Sequence, residues 1–310
     1  MNIELASSGR RVVRRCQGDR AQASVEWIGV VSLLAVVLAT AASAGGLVPG
    51  TALVHSVSRS LLCAASLSSD CLPEGSLDRA YGEDTAELVR ENAPEILFGP
   101  DLLGLPVDFR SCRSPGCAQA GRDGTVTASE AGEPVTLFTR VIERDGTTWI
   151  QYWAYYPESA SLRGVPVLEG KGYHAHDWES VQVRVGSDGE VSQRASSHVG
   201  YNHTRSVANW GSDVGSDVLR SAAEAVGLRE EGGWGDATGR WYVAGGSHAG
   251  NAEDPGGANG YPSRTPGPSV RLIPLEQVRG GPLARPADFT PITSPWDKRV
   301  WTDPEAEGTG

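Results

Sequence analysis

Val181-Gln182-Val183-Arg184-Val185 alternates apolar and polar residues with a period of two, the pattern of a half-buried strand. Ser187-Asp188-Gly189 follows, and a second strand-like run covers residues 190–199, so the chain is expected to fold back here as a hairpin. The same arrangement recurs upstream, where residues 134–142 and 147–156 flank Arg144-Asp145-Gly146. Residues 240–244 and 269–275 are further strand candidates. Helical signals are confined to residues 84–93, stopped by Pro94, and to residues 213–226, with Val214, Val218, Leu219, Ala222 and Val226 in phase. Glycine and proline crowd residues 250–268, which read as a long surface loop. Many strands, frequent turns and few short helices predict a mainly β domain, a β-sandwich of jelly-roll-like type.

The strand at 181–185 is preceded by Tyr173-His174-Ala175-His176-Asp177-Trp178-Glu179. Extending the alternation backwards puts Asp177 and Glu179 on the face of Val181, Val183 and Val185, roughly 6.5–7 Å apart along the strand. Two carboxylates directed at a core face are costly unless paired or bound to a cation. A hard divalent ion, joined by His174 or His176, satisfies both. Solvation at the strand start, or pairing with Arg184 or Arg205, is the alternative.

Arg10, Arg11, Arg14, Arg15 and Arg20 precede an uncharged apolar run over residues 27–48. That run is long enough to cross a bilayer as a helix, and the arginines predict an N-terminus inside with the main domain extracytoplasmic. A cleaved secretory signal, with Ala42-Ser43-Ala44 as its small-residue site, is the competing reading. Cys63, Cys71, Cys112 and Cys117 all follow the run, an even set that suits two disulfides in an oxidising compartment. Their spacings favour Cys63–Cys71 and Cys112–Cys117, although four cysteines allow three connectivities. No CxxC pair supports a zinc site. Of 27 basic and 38 acidic residues, 5 and 3 precede residue 49, leaving 22 against 35, a net −13. So acidic a domain excludes nucleic acid as a partner and argues against simple adhesion to anionic lipid.

Two resemblances follow from these residues. Residues 20–27, Arg-Ala-Gln-Ala-Ser-Val-Glu-Trp, resemble the start of TadE-type and Flp-type pilin-like proteins. That implies prepilin-peptidase cleavage between Ala21 and Gln22, with Glu26 at the fifth mature position, and contact with pilus-assembly machinery. Tyr173 to Glu179 resembles the Gly-His-Arg-His-Asp-Trp-Glu heptapeptide of the necrosis- and ethylene-inducing peptide-like proteins, with Tyr173 and Ala175 as departures. Ile150-Gln151-Tyr152-Trp153-Ala154-Tyr155-Tyr156-Pro157-Glu158 is similar to the aromatic strand before that motif. Asn92-Ala93-Pro94-Glu95-Ile96 and Leu105-Pro106-Val107-Asp108 resemble the opening segment of the wider superfamily, which includes a vacuolar-protein-sorting-related group. Residues 241–249, ending in Gly246-Ser247-His248-Ala249, are similar to a Gly-Ser-His segment of that group.

The second resemblance spans about residues 84–250 and implies a β-sandwich with an oxygen-rich divalent cation site, magnesium or calcium, at one end. In plant-active members of the family the cation helps engage glycosylated sphingolipid headgroups. His174, Asp177 and Glu179 match the cation-site positions, and His176 and Trp178 match motif residues beside it. Glu169 is the only acid in residues 164–170, where the family has a further aspartate. His248 is expected to face the same cleft. The implied organisation is a basic leader (1–21), a membrane helix (22–48), a tether with the first cysteine pair (49–83), the β domain (84–303) and a flexible tail (304–310). The expected function is cation-dependent binding of a glycan or polar lipid headgroup. A metal-dependent hydrolase of cell-envelope material and a minor pilin-like surface component are the alternatives. No HExxH, GxSxG or P-loop is present.

Overall fold

The computed structural model describes residues 76–100, 102–121, 123–160, 173–197, 200–203, 233–255, 260–276 and 293–307. The expected membrane segment, Cys63, Cys71, Glu169 and the expected helix at 213–226 lie outside these residues.

Two short helices, α1 (Ser76–Tyr81) and α2 (Glu83–Glu91), open the described chain. The first falls within the stretch expected to be a tether, and it packs through Leu77 and through the Tyr81 hydroxyl, which donates to Thr139 O at 2.7 Å. The strands are β1 (Glu95–Phe98), β2 (Gly124–Thr125), β3 (Thr136–Arg144), β4 (Thr147–Ala160), β5 (Tyr173–Val185), β6 (Val191–Ser197), β7 (Gly200–Asn202), β8 (Gly235–Asp236), β9 (Arg240–Val243), β10 (Gly250–Asn251), β11 (Ser263–Thr265) and β12 (Arg271–Pro274). A third helix, α3 (Pro115–Ala118), lies in the β1–β2 connection. The fold is mainly β, with two mixed sheets ordered β10-β9-β1-β11-β2 and β12-β3-β4-β5-β6-β7, β8 pairing with β6.

Turn chemistry sets the long strands. Asp145 and Gly146 both have positive φ, 52° and 77°, which gives the β3–β4 hairpin a twist matching its strands. The β5–β6 turn closes through Gly186 N–H to Glu190 O at 2.8 Å, with Gly189 in the left-handed region. Residues 250–268 differ from the expected loop: β11 occupies that stretch and pairs with β1, Ile96 opposite Thr265. Three residues of alternation are too few to be distinguished from loop in the sequence.

Ile96, Phe98, Trp241 and Val243 of the smaller sheet share one core with Ile150, Tyr152, Val181 and Ala195 of the larger. The other face of the larger sheet is covered by residues 294–307, which form 3-10 turns at Pro295–Asp297 and Arg299–Trp301. Beneath them a polar row crosses four strands in register, Arg140 opposite Gln151, Gln151 opposite Gln182, and Gln182 opposite Arg194. Its side chains hold backbone carbonyls: Gln151 Nε2 donates to Val300 O (2.6 Å), Arg140 to Trp301 O (3.0 Å), and Arg194 to Pro304 O (2.5 Å) and Ala306 O (3.0 Å). The expected tail begins at Pro304, and its described residues 304–307 lie along this row, with Ala306 5% exposed.

Candidate functional site

The site lies where β5 runs past the end of β6. The register from Tyr173 opposite Ala160 to Val185 opposite Thr148 carries the whole heptapeptide into the sheet as strand. Pairing with β6 stops at Val181 opposite Ala195. Beyond it, Ser180 N–H donates to Ser196 Oγ at 2.7 Å, and that hydroxyl donates onward to Glu179 Oε2. Glu179 thus occupies the place where the ladder opens.

The structure brings Asp177 and His248 together. Asp177 Oδ2 accepts from His248 Nδ1 at 3.1 Å. His248 is fully buried and stacks flat on Tyr156, ring centroids 3.7 Å apart and planes 3° from parallel. Because a carboxylate only accepts, the proton of this hydrogen bond sits on Nδ1. His248 Nε2 and the Tyr156 hydroxyl are buried and have no hydrogen-bond partner among the described residues.

The turn bearing His248 closes through Ala244 N–H to Ala249 O (3.0 Å) and His248 N–H to Ala244 O (3.1 Å). Gly246 O accepts from Ala160 N–H at 3.0 Å, which docks the turn against the end of β4. A Cβ on Gly99 would lie 3.1 Å from Gly245 N, so small residues permit this close backbone approach. Among the described non-glycine residues only Asp145, His176 and His248 have positive φ; His248 holds Asp177, and His176 directly precedes Asp177 in the chain. Such backbone is retained where the surroundings over-determine it.

Glu179 is half-buried, and burial pushes its pKa well above the ordinary glutamate value. The adjacent Asp177 charge adds to that, while the Ser196 hydrogen bond and the Lys298 charge oppose it. Tyr156 is pushed up by burial, then by Glu179 and Asp177. The expected alternative partner Arg184 is engaged elsewhere, with Glu305 at 3.3 Å.

The remaining motif residues are placed differently. His176 Nδ1 is 2.6 Å from the Tyr155 hydroxyl, and its ring stacks on Tyr155. His174 Nδ1 donates to His176 O at 2.6 Å. Trp178 turns into the aromatic core against Phe109 (5.5 Å), Phe138 (5.6 Å) and Tyr155 (5.2 Å). Ser247 Oγ accepts from Ala249 N–H at 3.4 Å, which turns it back on its own loop rather than toward His248. His203 is held by Asp236 O at 2.7 Å, outside the cleft. Cys112 and Cys117 form a disulfide that ties the segment carrying Phe109.

The donor set fits a divalent cation in part. Two carboxylates and a buried imidazole lie together here, but no group of three or more His, Cys, Asp or Glu among the described residues converges to hold a metal. Tyr156 and Ser196 are site residues that sequence reasoning missed. Tyr156 was hidden in an aromatic strand, and a lone serine carries no signal.

Solved structures similar to this chain are necrosis- and ethylene-inducing-protein toxin folds. They include NLPPya in complex with mannosamine (17% identity, 74% of this chain and 90% of that one, TM-score 0.40). NLPPya in complex with glucosamine matches at 19% identity over 74% and 90% of the two chains, with a TM-score of 0.38. Necrosis and Ethylene inducing Protein 2, from the causal agent of cocoa's witches' broom disease, matches at 24% identity over 36% and 51%, with a TM-score of 0.24. These likenesses assign no residue role here. No family model and no curated protein matches the chain.

Proposed function

We propose that the cleft at Asp177, Glu179 and His248 takes a divalent cation, magnesium or calcium, and through it a glycan or polar lipid headgroup. The β domain performs this on the outer side of a membrane, tethered by the apolar segment at residues 27–48. The observation that carries the reading is the carboxylate pair itself. Asp177 and Glu179 are close enough that one raises the proton affinity of the other, and the partner of Asp177 among the described residues is the His248 imidazole. A bound cation relieves that repulsion and presents open coordination positions to sugar or phosphate oxygens. Asp177 and Glu179 would hold it, and ligand oxygens and water would complete the set. The cation supplies charge and coordination. The chain's own contribution is to fix Asp177 through His248 and Glu179 through Ser196.

The test is calorimetric titration of metal-stripped protein with magnesium and calcium, beside Asp177→Ala and Glu179→Ala variants checked for folding by circular dichroism. Saturable binding is expected in the parent and its loss in both folded variants. A folded parent that binds neither ion refutes the cation. Glucosamine and mannosamine, the sugars bound in two of the similar structures, are the first ligands to add in the presence of the ion.

A further inference from the structure

We propose that Tyr173 and Glu158 form a second sugar subsite at the lip of the cleft, taking a pyranose unit beyond the one engaged at the cation. It rests on the glycan reading above and gives that glycan a minimum length. Tyr173 is 51% exposed, and the only other large hydrophobic residue so exposed among those described is Val191, at 37%. Its place is not incidental to the cleft. Tyr173 stands opposite Ala160, and Ala160 N–H donates to Gly246 O at 3.0 Å, two residues before His248. The ring therefore stands at the strand end onto which the His248 turn is docked.

Glu158 completes the arrangement. It stands opposite Ala175, so the register puts Glu158, Ala160, Tyr173 and Ala175 on one face of the β4–β5 ladder, with Glu158 diagonal to Tyr173. That diagonal puts the Glu158 carboxylate within reach of the Tyr173 side chain. A flat ring with an adjacent acceptor suits a pyranose: the C–H face packs on the ring and an equatorial hydroxyl donates to the carboxylate. An amino sugar suits it further, since its ammonium pairs with the carboxylate and gains from the ring face. Tyr173 is four residues from Asp177, about 13 Å along a strand, so an oligosaccharide and not a single ring bridges the two points. Tyr173 is also one of the two departures from the heptapeptide that the motif resembles, which makes the subsite a property of this chain.

The test uses the full chain in a detergent without a sugar headgroup, with magnesium present, titrated with glucosamine and with a β1,4-linked glucosamine trisaccharide. Magnesium affinity is measured separately for every variant. The trisaccharide is expected to bind about 10-fold more tightly than the monosaccharide, the scale of one added aromatic contact. Tyr173→Ala is expected to abolish that gain, Tyr173→Trp to keep it, and Glu158→Gln to reduce it, all with magnesium and monosaccharide affinity unchanged. Equal affinity of the parent for the two sugars overturns the subsite alone, as does a gain that survives Tyr173→Ala. A parent that binds magnesium but neither sugar overturns the glycan reading and the subsite together.

Discussion

Glu179→Gln isolates the proton on which the site's electrostatics turn. Burial first, and Asp177 second, hold the Glu179 carboxyl protonated to higher pH than an ordinary glutamate. A carboxyl whose folded pKa lies above its unfolded value binds its proton more tightly in the folded state. Its contribution to stability is then fully present below the unfolded value, about 4.3, and is lost as pH rises through the folded value. One proton sets the slope, so stability falls by up to about 1.4 kcal/mol per pH unit across that window. Glutamine keeps an oxygen to accept from Ser196 but has no proton to lose, so its stability profile lacks this descending limb. Asp177→Asn removes only the second cause, so the limb moves to lower pH without disappearing. Excess magnesium raises the high-pH limb of the parent and leaves Glu179→Gln unchanged. Guanidinium unfolding followed by tryptophan fluorescence between about pH 5 and 8, with chelator and then with magnesium, measures all of this. Parent and Glu179→Gln curves separated by a constant offset across the range would refute the argument.

Two further substitutions test the frame around the site. Arg194→Met strips donors from Gln182 Oε1 (2.9 Å), Pro304 O (2.5 Å) and Ala306 O (3.0 Å), all beneath the C-terminal segment. Leaving those acceptors buried is expected to cost about 3–5 kcal/mol, read as a lowered denaturation midpoint, and a loss below about 1 kcal/mol contradicts the role given to the polar row. Gly250→Ala drives a methyl into the Trp241 indole nitrogen and to 3.0 Å from Ser196 O, the residue that holds Glu179. A loss of about 1–3 kcal/mol is expected, together with weaker magnesium binding, and a variant matching the parent in both measurements would show that the sheets can part here.

Much of the fold was legible because it is written in local chemistry. The two turn signals ending in Asp145-Gly146 and Asp188-Gly189 stand between the longest strands, and Pro94 follows the helix Glu83–Glu91. Strand alternation placed Asp177 and Glu179 together, and the short spacing of Cys112 and Cys117 pointed to the disulfide that forms. The strand Ser263–Thr265 and the packing of residues 304–307 were not legible. Each depends on partners more than 100 residues away, β1 in one case and Arg194 in the other.

The sequence by itself determined that Asp177 and Glu179 lie together, because two carboxylates at alternate strand positions share a face in any sheet that forms. Only the tertiary structure decided how they are used. It brought His248 across from the β9–β10 turn to hold Asp177, gave Glu179 the Ser196 hydroxyl, and turned His176 to Tyr155 and Trp178 into the aromatic core. Periodicity records the face of a strand on which a residue lies. Which distant segment meets that face is fixed by the packing of two sheets, and no local pattern encodes it.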